Sequence, residues 1–133
     1  MNKNYISGLV NNVHNDFEFF VLGLPGKFRN QAEIDKLKRN FQVTQVHGFT
    51  PDSKEVLSLN LKKAEFKFWY NRVLTPEEAA CALGHRKIID LALASKSKFI
   101  VILEDDAAIP DLRTLQSIEE FMSKSEPMLL LLA

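Results

Sequence analysis

One cysteine, Cys81, is all the sequence holds, so no disulfide can close within the chain and no multi-cysteine zinc site can be built. Net charge is absent as well: 17 Lys and Arg stand against 17 Asp and Glu. Nucleic-acid binders draw affinity from basic residues that displace counterions from phosphates. A balanced chain lacks that footprint, and nucleic acid is not an expected partner. Long apolar runs are missing too. Nothing approaches the ~20 residues that cross a bilayer as a helix, and the apolar stretch 128–132 is far too short. The first ten residues include Asn, Lys, Tyr and Ser and lack the apolar core of a secretory signal. Together these absences predict a reducing, cytoplasmic setting.

What is present is an ordinary globular composition. The 133 residues suffice for one domain around one core. With 46% apolar and 26% charged residues, disorder is excluded. No repeat, low-complexity tract or linker divides the chain, so 1–133 reads as a single domain.

Periodicity gives the order of elements. Residues 17–22 are aromatic and β-branched and stop at Gly23-Leu24-Pro25-Gly26, a strand followed by a turn. Residues 28–41 place Phe28, Ala32, Ile34, Leu37 and Phe41 on one side at helical spacing. A strand is expected over 42–49, ending at Thr50-Pro51-Asp52, and a helix over 61–70, where Phe66, Phe68, Trp69 and Tyr70 suit core packing better than base stacking. Residues 53–61 have no clear pattern.

Thr75-Pro76-Glu77-Glu78 is the sharpest local signal. Thr75 suits an N-cap, Pro76 the first helical position, and Glu78 the reciprocal place in a capping box. The helix it starts should run to about residue 94. Residues 99–103 are apolar on both faces, as in a central strand of a parallel sheet. A helix over 112–121 should present Leu112, Leu115, Ile118 and Phe121 or Met122 on one face, and 128–132 is a last strand candidate. Strands alternating with helices predict an α/β, Rossmann-like three-layer sandwich with a mainly parallel sheet.

In such sheets ligands bind beyond the carboxyl ends of the strands. The strand at 99–103 runs there into Glu104, Asp105 and Asp106. If the chain stays extended, Glu104 and Asp106 point one way and Asp105 the other. Three adjacent carboxylates repel one another, and a hard cation such as Mg²⁺ or Mn²⁺, shared with substrate phosphates, would relieve the repulsion. Such a metal would also neutralise charge on a departing nucleoside diphosphate. The bland alternative is a helix cap or a solvated loop. A response-regulator receiver needs a phosphorylated Asp on a later strand, yet Asp111 is the sole later aspartate; a dehalogenase-type phosphatase needs Asp-x-Asp. Neither fits.

Two segments taken together resemble glycosyltransferase family 25, the lipopolysaccharide and lipooligosaccharide sugar transferases. The family pattern Leu-(Thr/Ser)-x-Gly-Glu-(Ile/Val)-Gly-Cys-x-x-Ser-His, followed by a strand ending Leu-Glu-Asp-Asp-Ala/Val, is met in register by Thr75, Glu78, Cys81 and His85, and then by Leu103 to Ala107. The stretch around Val21 to Leu24 with Arg29, and Val46-His47-Gly48, resemble the family more loosely. Glu77 and Ala80 replace two glycines of the pattern and Gly84 replaces its serine.

The resemblance implies a GT-A-type fold, a UDP-sugar donor, a divalent metal (Mn²⁺ or Mg²⁺) and a lipooligosaccharide or lipopolysaccharide acceptor. Carried over by position, Asp106 is the main metal ligand with Glu104. Gly23, Leu24, Arg29, Glu78, His85, Glu104 and Asp105 lie at the nucleotide-sugar site. No general base is assigned. Each residue has a structural rival: His85 as a core histidine, Glu78 as a cap partner, Cys81 as small core filler and Arg29 as a solvated helix-start residue. Family members usually continue further, so the chain reads as the nucleotide-sugar-binding half of such an enzyme. The rival functional reading is a truncated, inactive relic that at most binds nucleotide, with homodimerisation through the apolar 128–132 strand. Peripheral attachment at the inner face of the bacterial inner membrane is compatible with either.

Overall fold

The computed structural model describes residues 16–59 and 71–124. Three strands, β1 (Phe17–Gly23), β2 (Gln42–His47) and β3 (Phe99–Glu104), form an all-parallel sheet in the order β2-β1-β3. Parallel strands need crossovers. These are α1 (Gln31–Lys38) between β1 and β2, and α2 (Lys54–Leu57) with α3 (Pro76–Leu93) between β2 and β3; α4 (Leu112–Met122) follows β3. The predicted α/β, Rossmann-like arrangement is what the chain adopts. The helix and strand expected over 61–70 and 128–132 lie outside the described residues.

Strand alternation divides the core into two layers. Phe17 and Phe19 of β1 pack with Phe99 of β3, Leu37 of α1 and Leu115 of α4 on one face. Phe20 of β1 and Val46 of β2 pack with Ile88 of α3 on the other. Helices thus cover both faces. On α4 the apolar face closes on Met122, which packs against the core, while Phe121 is 54% exposed.

The most buried strand is β1, where β3 was expected. β1 has a hydrogen-bonded neighbour on each edge, whereas β3 has a described partner on one edge alone, and Ile102 is exposed there. The apolar residues of β3 are partly buried against both core layers, Val101 and Leu103 in one and Ile100 in the other, which an edge position in the described sheet does not contradict.

The capping box forms as predicted: Thr75 Oγ1 accepts from the Glu78 N–H at 3.3 Å, and Glu78 Oε2 accepts from the Thr75 N–H at 3.0 Å. α1 is shorter than the 28–41 pattern. Phe28, Arg29 and Asn30 precede it, because the Asn30 N–H donates to the Asp105 carbonyl at 3.1 Å. Phe41 lies beyond its end and packs on Phe19, ring centroids 5.0 Å apart. β2 stops at His47, and the patternless stretch after Thr50-Pro51-Asp52 contains the single turn α2, with Ser53 Oγ accepting from the Val56 N–H.

Glu18 interrupts the apolar β1 and is itself buried. Its carboxylate accepts from Gln42 Nε2 at 3.0 Å and from the hydroxyls of Ser95 and Ser97. It thereby ties β1 to β2 and to the α3–β3 turn at the end of the sheet away from the acidic cluster. A hydrogen bond to a charged group contributes about 1.5–3 kcal/mol net of its exchange with water, and here the cost of burying the carboxylate offsets part of the sum. Glu18→Ala is therefore expected to lower unfolding stability by about 2 kcal/mol in urea titrations, with Glu18→Gln recovering part of the loss.

Candidate functional site

A cleft of about 300 Å³ opens beyond the carboxyl ends of all three strands. Leu22, Gly23 and Leu24 come from β1 and its turn, Gly48, Phe49 and Pro51 from the segment after β2, and Glu104 and Asp105 from the end of β3. Glu77, Ala80, Cys81 and Gly84 of α3 form the opposite wall, and Arg29 closes one side. Strand order reverses at β1, and ligands of open α/β sheets sit at such a reversal.

Three glycines let these elements approach. A Cβ on Gly23 would lie 2.6 Å from the Phe28 ring, closer than real side chains come, and a tight 3.2 Å from Asp105 Oδ2. A Cβ on Gly84 would meet Leu22 at 3.3 Å and the Gly48 Cα at 3.6 Å. The α3 residues Ala80, Gly84 and Ile88, four apart, are buried, so the small pair brings the first half of α3 against the strand ends.

The acidic cluster does not stay extended. A turn follows Glu104, with the Ala107 N–H donating to its carbonyl at 3.0 Å, and both aspartates then reach the same arginine. Asp105 has a side chain only 2% exposed. Its Oδ2 accepts from the Arg29 backbone N–H at 2.8 Å, and its Oδ1 accepts from Nε at 2.7 Å and pairs with Nη2 at 2.6 Å. Its own N–H donates to the Leu22 carbonyl at 2.8 Å, joining β3 to β1. Burial works against the Asp105 charge, but the bonds and charge of Arg29 outweigh it and hold the carboxyl below the ordinary aspartate range. Asp106 meets Arg29 Nη1 through Oδ2 at 2.6 Å with its side chain 49% exposed. Arg29 is accordingly no free-standing helix-start residue: it is the cation of the acidic corner.

Glu104 points to the other face of the sheet, toward α3. Its Oε1 lies 3.8 Å from His85 Nε2, and both side chains are part-exposed. His85 is therefore a cleft-side residue and not a core histidine. Its Nδ1 lies 3.0 Å from the Cys81 carbonyl oxygen. Cys81 is exposed on the cleft wall, not buried as filler. Glu78 lies outside the lining: Arg72 Nη1 and Nη2 donate to it at 2.6 and 2.5 Å, and those bonds, with the Thr75 N–H, pull its pKa to about 2. Gly23, Leu24, Arg29, Glu104 and Asp105 are thus brought together, His85 and Asp106 stand beside them, and Glu78 is committed to its cap. Sequence reasoning did not assign Phe49, Pro51 or Glu77 to the site; turn residues just past a strand end were the available signal.

The donor set has consequences for a cation. Both oxygens of Asp105 are engaged by Arg29, which leaves Glu104 and Asp106 as the carboxylates with oxygens to spare. Mg²⁺ and Mn²⁺ are commonly held by one or two carboxylates plus substrate phosphates, and these two carboxylates are of that donor type. Among the described residues, the one group of three potential ligand atoms close together is Cys81, His85 and Glu104, within 4.8 Å of one another.

The family model of glycosyltransferase family 25 (LPS biosynthesis protein) matches residues 3–132. The chain belongs to this family. Comparison with curated proteins and with solved structures finds no match. Family membership points to a glycosyltransferase of lipopolysaccharide biosynthesis, with a sugar donor and an acceptor as the partners it implies. No helix among the described residues is long and apolar enough to cross a membrane.

Proposed function

We propose that the chain binds a UDP-sugar in this cleft and transfers the sugar to a lipooligosaccharide or lipopolysaccharide acceptor, with Mn²⁺ or Mg²⁺ held by Asp106 and Glu104. The observation that carries this reading is the convergence of Arg29, Glu104 and Asp105 with the Gly23-Leu24 turn at the strand ends. When bound, the metal would neutralise charge developing on the UDP leaving group.

Arg29 and the glycines prepare the diphosphate end. Asp105 is the fixed half of the arginine's surroundings, because it is buried and holds both the backbone N–H and Nε. Asp106 is the exchangeable half, joined through a single exposed contact. A diphosphate can replace Asp106 at Nη1 without disturbing the Asp105 anchor, which frees that carboxylate for the metal. Gly23 and Gly48 keep side chains out of the floor, and the apolar Leu22, Phe49 and Pro51 offer a dry surface for the base or sugar. The reaction is placed in the cytoplasm, at the membrane face that presents a lipid-anchored acceptor.

Calorimetry of the full chain with UDP, with and without Mn²⁺, tests the reading. Manganese should tighten UDP binding by about 100-fold or more, equal to about 2.8 kcal/mol. Affinity indifferent to the metal would remove the proposal. A second reading, a chain that binds nucleotide but transfers nothing, is favoured by Ala80, whose methyl group stands in the cleft wall where the family pattern has glycine. Release of UDP from a UDP-sugar in a turnover assay would eliminate it.

A further inference from the structure

The cleft wall carries a second donor set that the hard-cation reading does not use. Cys81 and His85 are one helical turn apart on α3, and Glu104 faces them from the end of β3. In the tautomer that donates Nδ1–H to the Cys81 carbonyl, 3.0 Å away, Nε2 keeps its lone pair free and lies 3.8 Å from Glu104 Oε1. That separation is too long for a hydrogen bond. It is close to the span that two ligands of one small cation require, since Zn–N and Zn–O bonds are about 2.0–2.2 Å. A histidine that ligates a metal through one nitrogen usually donates the other N–H to a carbonyl or carboxylate, which is the arrangement at His85.

We propose that Cys81, His85 and Glu104 bind a zinc ion, with its fourth position open to the cleft. Thiolate, imidazole and carboxylate form a donor set for Zn²⁺ and a poor one for Mg²⁺ or Mn²⁺, which prefer oxygen throughout. One ligand atom from each residue lies within 4.8 Å of the others, with Cys81 Sγ 3.7 Å from the His85 Nδ1 side of the ring, and tetrahedral zinc needs ligand atoms about 3.3–3.8 Å apart. Cys81 is exposed and Glu104 half-exposed, so both side chains have room to turn toward a shared ion. On binding, the Cys81 thiol loses its proton to the solvent and the sulfur bonds the metal as thiolate. The ion would pin the first half of α3 to the end of β3. Because it takes Glu104, it would also compete with the manganese–UDP complex proposed above; the zinc site itself does not rest on that reading.

The test uses the full chain without nucleotide. Titration with Zn²⁺ by calorimetry should give one equivalent bound with a dissociation constant of about 1 μM or tighter. Titration with Co²⁺ should develop the sulfur-to-metal charge-transfer absorption of a bound thiolate. Cys81→Ser should abolish that absorption, and His85→Gln and Glu104→Gln should each weaken zinc by about 10–100-fold. Circular dichroism would establish that each variant folds. Asp106→Ala should leave zinc affinity within about twofold, which separates this site from the carboxylate pair. No saturable zinc binding, or the same affinity in Cys81→Ser as in the parent chain, overturns the proposal. Either result is read without UDP, so it stands apart from success or failure of the donor-binding experiment.

Discussion

Asp105→Ala is expected to lower the free energy of unfolding by about 2–3 kcal/mol at pH 7, measured by urea titration. The side chain is buried and accepts from both the backbone and the guanidinium of Arg29. Removing it deletes charge-assisted bonds, yet leaves behind an arginine that is already 59% exposed and can be hydrated. The loss therefore sits at the lower end of what breaking a buried pair costs. The sign of the pH dependence follows from the depressed carboxyl. A carboxylate whose folded pKa lies below its unfolded value, about 3.9, contributes fully above that value and loses its contribution as pH falls through the folded pKa. The gap between parent and variant should be flat from about pH 5 to 8 and narrow steadily below about pH 4. A gap of constant size down to pH 2 would show that Asp105 acts through packing alone.

This corner also shows where the sequence was legible. The strand leading into three acids, the proline-led capping box and the alternation of strands with helices are local signals, and each appears in the structure. What alternation could not supply was the direction of Asp105 and Asp106, because a turn begins at the residue after Glu104 and both aspartates then share Arg29. That contact spans 76 residues of chain and depends on α1 starting late. Glu18 was legible in principle. A single carboxylate inside Phe-Glu-Phe-Phe signals a buried acid that must find partners, but its hydroxyl partners Ser95 and Ser97 come from the turn between α3 and β3. Asp111, which accepts from the Thr114 N–H at 2.7 Å, is an N-cap that was not assigned from the sequence.

That β1 is more buried than β3 was not legible, for a different reason. Composition reports how much of a strand is covered by helices, not which neighbours it hydrogen-bonds, and β1 and β3 are both apolar. Order had to come from the crossovers. Once β1 is central, the aspartate that hydrogen-bonds its last carbonyls is the one that must be fixed, and Asp105 is that residue through its N–H to Leu22. Its neighbour is then the one free to change partners.

Asp106→Ala puts that division to the test, and its expected effect on ligand binding is the largest of any single substitution. Its ion pair with Arg29 is exposed, and exposed pairs contribute little to stability, so the variant should unfold at nearly the parent's urea midpoint. Metal-dependent UDP binding should behave otherwise. Loss of residues that merely support a metal ligand already costs 10–100-fold, so loss of the proposed ligand itself should weaken manganese-dependent UDP binding by about 100-fold. UDP binding in the absence of metal should be unchanged or slightly tighter, since Arg29 Nη1 then has no carboxylate to exchange. Asp105→Ala should invert the pattern, with lower stability and weaker UDP binding whether or not manganese is present, because the arginine loses its anchor. Calorimetry on the two variants side by side, each with and without Mn²⁺, separates the roles. Equal losses in both variants would mean that the two aspartates act as one charge, and the assignment of Asp106 as the metal's ligand would fall.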